Sequence, residues 1–212
     1  MLPTIIRKPR TAQDIAQGAR LAKMQNREIG PIDVARVLDA ANVKYVLVGA
    51  HATNGYTGRP RATVDVDMIV QFPKKASEAI AKAFPHLRMK DTPVVIRFFD
   101  DDQEAIDLMK SNTSKLWPAL LKHSTLLRVD QYKLRVPTVE GVLAAKFSAM
   151  VSIGRRMPDK MIDGGDFIRV CEANDAIDES LLQELGDLVY PGGGKEILKL
   201  VADAKAGKRL EF

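Results

Sequence analysis

The chain has 212 residues, 46% of them hydrophobic and 28% charged, with a net charge of +5. Domains run at ~100–200 residues, so this length gives one large domain or a domain with an appendage. The composition excludes a disordered or collagen-like chain. A single cysteine, Cys171, with no second Cys or His at ligand spacing, excludes a disulfide framework and a zinc site and fits a reducing cytoplasm. No stretch approaches the ~18 apolar residues of a membrane span, and the N-terminus lacks a secretory-length apolar run, so the chain is expected to be soluble and unexported. Basic residues cluster at Arg7, Lys8 and Arg10 and again at Arg155-Arg156. Such mild positive charge favours polyanions without proving contact with one.

In chain order, apolar positions at helical spacing predict a surface helix over residues 11–28. Pro31 suits the first turn of a second helix, which Asn42 ends. The short β-branched run Tyr45 to Val48 predicts a buried strand, broken at Gly49-Ala50 and followed by a loop rich in Gly and Pro. Residues 63–71 alternate as a second strand, and "KKASEAIAKAFPHL" reads as a helix ended near Pro85. "PVVIRFF" and "QEAIDLM" flank Asp100, Asp101 and Asp102, which predicts a hairpin with a solvated acidic tip. From about Pro137 onward the pattern is helical, with Thr138 and Glu140 suited to a helix start. The order favours an α/β (α+β) fold, a mixed sheet flanked by helices with a helical C-terminal region.

Side chains two apart on a strand share a face, so Asp65 and Asp67 project together. Two carboxylates held side by side repel unless a cation lies between them or one is protonated. A divalent metal, Mg²⁺ or Mn²⁺, resolves the conflict, and Mg²⁺ pairs a few carboxylates with substrate phosphate oxygens. Asp107, inside the strand-like "EAIDLM", offers a third carboxylate if its strand lies next to that of Asp65; the alternative is an edge-strand acid facing water. A glycine after a buried strand lets backbone approach a ligand and leaves amides for phosphate, so Gly49 and Ala50 are the candidate cradle for a triphosphate.

"LVGAHATNGYTGRPRATVDVDMIV" resembles the signature of the DNA polymerase β-like nucleotidyltransferase superfamily: apolar strand, small-residue turn, helix and loop, then Asp-x-Asp in a strand. More narrowly, Arg61, Thr63, Asp65 and Asp67 resemble the Arg-x-Thr-x-Asp-x-Asp of the AbiEii-type toxin nucleotidyltransferases and their bacterial relatives. The resemblance covers about residues 43–170. It implies a nucleotidyltransferase core over 1–135, with the N-terminal helices, and a helical region over 136–212 packed on it. It implies that Asp65, Asp67 and Asp107 hold the metals, that Gly49 and its neighbour bind the NTP triphosphate, and that Lys146 reaches nucleotide phosphate. Asp163 and Asp166 match an Asp-x-x-Asp of the same segment.

The residues themselves leave alternatives. Lys146 lies in an apolar stretch, where it either snorkels to solvent or meets an anion. Arg61 can pair with Asp65 or Asp67, contact phosphate or form a structural salt bridge. Ala50 replaces the usual Ser or Gly, so a phosphate-binding hydroxyl is missing. His51 could meet a nucleotide phosphate, but it is expected to cap a helix or lie at the surface, for want of an evident partner. "PGGGKE" lacks the length and hydroxyl of a P-loop and reads as a flexible turn before the last helix. Trp117 could stack a base, but core packing is the expected role. The expected function is metal-dependent transfer of a nucleoside monophosphate from an NTP to an acceptor hydroxyl. RNA, transfer RNA included, or a protein is the expected acceptor, with a toxin's cognate antitoxin as a further partner and no membrane. The alternatives are a non-catalytic nucleotide- or RNA-binding module and an antibiotic-modifying nucleotidyltransferase.

Overall fold

The computed structural model describes residues 10–23 and 29–211. Arg7 and Lys8, and residues 24–28 of the first expected helix, lie outside the described residues.

Helix α1 (Arg10–Lys23) buries Ile15 and packs on α3 (Gly49–Thr57). Pro31 opens α2 (Pro31–Ala40), whose first turn is closed by Asp33 accepting from the Gly30 amide at 2.9 Å. Asn42, at φ 50°, stops it, as Asn tolerates the left-handed region. Strand β1 (Tyr45–Leu47) is buried throughout. The segment expected to loop away from Gly49 begins instead as α3, tied down where the Tyr56 hydroxyl donates to the Pro137 carbonyl at 2.6 Å.

The second strand is shorter than its alternation predicted. β2 runs Val66–Val70, so Asp65 stands just ahead of the strand and Asp67 within it. Helix α4 (Pro73–Ala83) ends before Pro85, and the acidic hairpin forms as β4 (Val95–Asp100) and β5 (Gln103–Lys110), with Asp101 at φ 53° in the turn. Four further elements arise where no pattern pointed to them. β3 (Arg88–Asp91) is fully exposed, and α5 (Leu116–Lys122) precedes a separate hairpin of β6 (Thr125–Val129) and β7 (Tyr132–Val136). Among the described residues the main sheet has the order β1-β2-β5-β4-β3, antiparallel except for the central β2–β5 pair. That is the mixed sheet expected.

Thr138 caps α6 (Val139–Val151), its hydroxyl accepting from the Gly141 amide at 3.3 Å. α7 (Met157–Ala173), α8 (Glu179–Val189) and α9 (Gly193–Lys205) complete the helical third. The glycine run before α9 is no loose turn. Gly192 takes φ 93°, and a Cβ on Gly193 would lie 2.5 Å from the Gly186 carbonyl oxygen, so α8 and α9 cross at backbone contact. One apolar cluster extends from Ile15 on α1 to Ala204 on α9, and among the described residues no helix is long and apolar enough to cross a membrane.

Candidate active site

The parallel pairing of β2 with β5 places Asp67 directly beside Asp107. Val66 and Met68 are buried on the other face of β2, so the alternation of the strand pushes Asp67 into the cleft. Asp65 joins them from the approach to β2, with the Thr63 hydroxyl donating to its Oδ1 at 2.8 Å. All three carboxylates line one cleft of about 560 Å³. The three acids expected to converge therefore share one cleft.

Their electrostatics follow from crowding in a poorly hydrated place. Burial, then the charges of Asp65 and Asp107, push the Asp67 carboxyl up to about 8, against the pull of Lys146 and Arg155. Asp107 is pushed up to about 6, chiefly by burial, although Arg97 opposes the rise. Arg97 faces Asp107 across the β4–β5 ladder, donates from Nε to Oδ2 at 3.1 Å and pairs with Glu104 at 2.8 Å. The other oxygen, Oδ1, is buried with no partner. Among the described residues no group of three or more Asp, Glu, His or Cys side chains is placed to hold a metal ion. The donor set itself suits a hard divalent cation: carboxylate oxygens only, an excess of negative charge, and one buried oxygen with nothing bonded to it.

Gly49 couples the turn to these acids. It adopts φ 60°, and a Cβ built there would lie 1.8 Å from Asp67 Oδ2 and 2.9 Å from Asp67 Cβ. The Val48 amide donates to the Asp67 carbonyl at 2.9 Å, which presses the turn onto β2. No side chain caps the N-terminus of α3, so its amides and dipole face the cleft where Gly49 and Ala50 line it. The hydroxyl absent at Ala50 is not restored nearby, because Thr53 donates its proton to the Gly49 carbonyl at 2.8 Å. Gly49→Ala is expected to lose more than ~2 kcal/mol in urea unfolding, since left-handed strain and overlap with the stem of Asp67 act together.

No protein-family model and no curated protein matches the chain. Solved structures do. An antigenic nucleotidyltransferase-like protein from Paracoccidioides brasiliensis superposes with a TM-score of 0.50 at 17% identity, covering 92% of this chain and 94% of its own. The antibiotic-resistance factor ANT(2'')-Ia gives 0.53 at 11% identity, with 90% and 99% covered. JHP933 from Helicobacter pylori gives 0.51 at 14% identity, with 90% and 93% covered. The chain has a nucleotidyltransferase fold.

Within that fold several side chains take places the sequence did not disclose. Lys146 neither snorkels nor stands free: it is buried, donating to Asp163 Oδ1 at 2.9 Å and Asp166 Oδ2 at 2.8 Å. Arg155 pairs with Asp163 at 2.6 Å, while Arg61 and Arg169 each pair with Asp166 at 3.1 Å. Burial alone would raise the Asp166 carboxyl, but Lys146 and Arg61 outweigh it and hold it below the usual carboxylate range. Arg61 thus meets neither Asp65 nor Asp67. Its loop is instead clasped by Asn54, which donates to the Arg61 carbonyl at 2.8 Å and accepts from its amide at 3.0 Å.

His51 corrects the expectation of a cap or surface residue. It is buried within α3, its Nδ1 without a partner, and burial pushes its pKa down to about 4. A sequence in which His51 follows a small-residue turn into an Ala-rich segment carries one available signal for this, since the first turn of a helix packed on a sheet is enclosed. Trp117 is half-buried against the core, as expected, yet it also lines the cleft.

Proposed function

We propose that the chain moves a nucleoside monophosphate from an NTP to an acceptor hydroxyl and releases pyrophosphate. The observation that supports this reading is the close approach of Gly49 to Asp67, which sets the first amides of α3 beside the three carboxylates. Asp65, Asp67 and Asp107 would hold Mg²⁺ or Mn²⁺, which supplies Lewis-acid stabilisation of charge on the triphosphate and makes the acceptor hydroxyl easier to deprotonate. The amides of Gly49 and Ala50 bind and orient the triphosphate. Arg155, half-exposed at the cleft, adds positive charge on the same side. Asp107, whose buried Oδ1 has no bonding partner, would hold the ion on the attacking side or receive the acceptor proton. Lys146, held by two aspartates, fixes α7 on α6 and reaches phosphate only if one of those bonds opens.

The resemblance to AbiEii-type toxins favours RNA, transfer RNA included, or protein as the acceptor, and a cognate antitoxin as partner. A polycationic antibiotic is less well served. Beyond the three carboxylates, the acid lining the cleft is Asp163, already paired with Lys146 and Arg155. A second reading, a nucleotide-binding module without turnover, draws on Ala50 and on the hold of Arg97 on Asp107.

Purified protein with Mg²⁺ or Mn²⁺ and each α-labelled NTP, offered total bacterial RNA and itself as acceptors, tests the reading. Label should move with the native protein, and not with Asp65→Ala, with Asp67→Ala or after chelation of the metal. NTP binding by calorimetry without label transfer would favour the non-catalytic module. Failure to bind NTP at all would overturn both.

A further inference from the structure

Besides the carboxylates and the Gly49 turn, the cleft is lined by a second set of side chains of different chemistry. On its strand side stand Val94 ahead of β4, Met109 near the end of β5 and Trp117 on α5; on its helix side stand Val142 and Ala145 of α6. None of the five is charged. Val94 is 57% exposed, and Trp117 has one part packed on the core and another open to the cleft. Val142 is buried, and the part of this aliphatic and indole surface that reaches the cleft is stabilised when a ligand of matching character covers it.

We infer that this wall is a nucleobase platform, with Trp117 as its stacking surface. The inference rests on the nucleotidyl-transfer reading and names the part of the substrate that the carboxylates do not explain. A flat, uncharged and aromatic ligand matches these five side chains, and a base is such a ligand. Stacking accepts any base through its π-face, so the platform binds without strong discrimination among the four. The base comes either from the incoming NTP or from the terminal nucleotide of an RNA acceptor; Met109 lies two residues beyond Asp107 on the same strand and same face, which brings the wall close to the attacking side.

Trp117 is the sole tryptophan of the chain, so intrinsic fluorescence reports on this wall alone. The native protein is titrated with each NTP, with inorganic tripolyphosphate and with a single-stranded RNA trinucleotide, and binding is followed in parallel by calorimetry. An emission change with NTP but not with tripolyphosphate assigns the platform to the incoming nucleotide. A change with the trinucleotide and not with NTP assigns it to the acceptor. In either case Trp117→Leu should weaken that ligand by about tenfold or more and leave tripolyphosphate unaffected, with Trp117→Phe recovering most of the loss. NTP bound in calorimetry, with Trp117 emission unmoved by every ligand and affinities unchanged in Trp117→Leu, overturns the platform and spares the transfer reading. If no NTP binds to the native protein, the transfer reading falls and the platform falls with it.

Discussion

Asp67→Asn is expected to unfold at higher urea concentration than the native protein at neutral pH, in the absence of metal, and, on the proposed transfer reading, to lose more than ~100-fold in activity, a loss that even outer-sphere partners of metals incur. The two effects share one cause. Burial, and then the charges of Asp65 and Asp107, disfavour the Asp67 carboxylate and push its pKa up from 3.8 to about 8. Below pH 4 both folded and unfolded chains carry the proton and the group costs nothing. As pH rises the unfolded chain ionises first, so stability falls until the folded carboxyl also ionises near 8. Asparagine removes that slope. The gain should be near zero at pH 4 and on the order of a few kcal/mol at pH 8. Urea midpoints of the two proteins at those pH values check it, and equal midpoints at pH 8 would show that the three carboxylates are not in conflict.

Lys146→Met should act in the opposite direction. The ammonium group lies between Asp163 and Asp166 at 2.9 and 2.8 Å, and its loss leaves two buried carboxylates facing each other. Removing one partner from a buried ionic cluster costs ~3–5 kcal/mol, more than the retained pairs to Arg155, Arg61 and Arg169 can offset from their half-exposed positions. Denaturant unfolding followed by helical circular dichroism measures the loss. Adding Asp163→Asn and Asp166→Asn to Lys146→Met should recover part of it, since the neutral amides no longer repel. A lysine acting on phosphate alone would leave unfolding unchanged and alter only NTP binding.

The acids of the cleft were legible because each is an anomaly of local pattern. Asp67 and Asp107 interrupt apolar strands, and the second carboxylate at Asp65 gives the cation reading its weight, although an edge-strand acid facing water is open for Asp107 on the sequence alone. The mixed sheet was legible for the same reason, as its central strands are short apolar runs. Strand β3 was not, because Arg88–Asp91 is exposed on every residue and an edge strand without a buried face has no alternation to show. The partners of Lys146 and Arg61 were hidden by distance along the chain. Arg61 and Asp166 meet only when α7 packs on α3, a contact that no local period encodes. The apolar wall around Trp117 was hidden likewise, since its residues come from the ends of β4 and β5 and from α5 and α6.

The side-by-side placement of β2 and β5 also bears on how the chain reaches its native state. They form the parallel pair of the main sheet, and α4, β3 and β4 lie between them along the chain. Pairing across so long a loop belongs late in folding, after the β4–β5 hairpin has closed. Asp67 and Asp107 then come together at the step that completes the sheet, so their repulsion opposes closure of the last gap rather than the first collapse. A cation able to bind both carboxylates would therefore quicken refolding as well as steady the product.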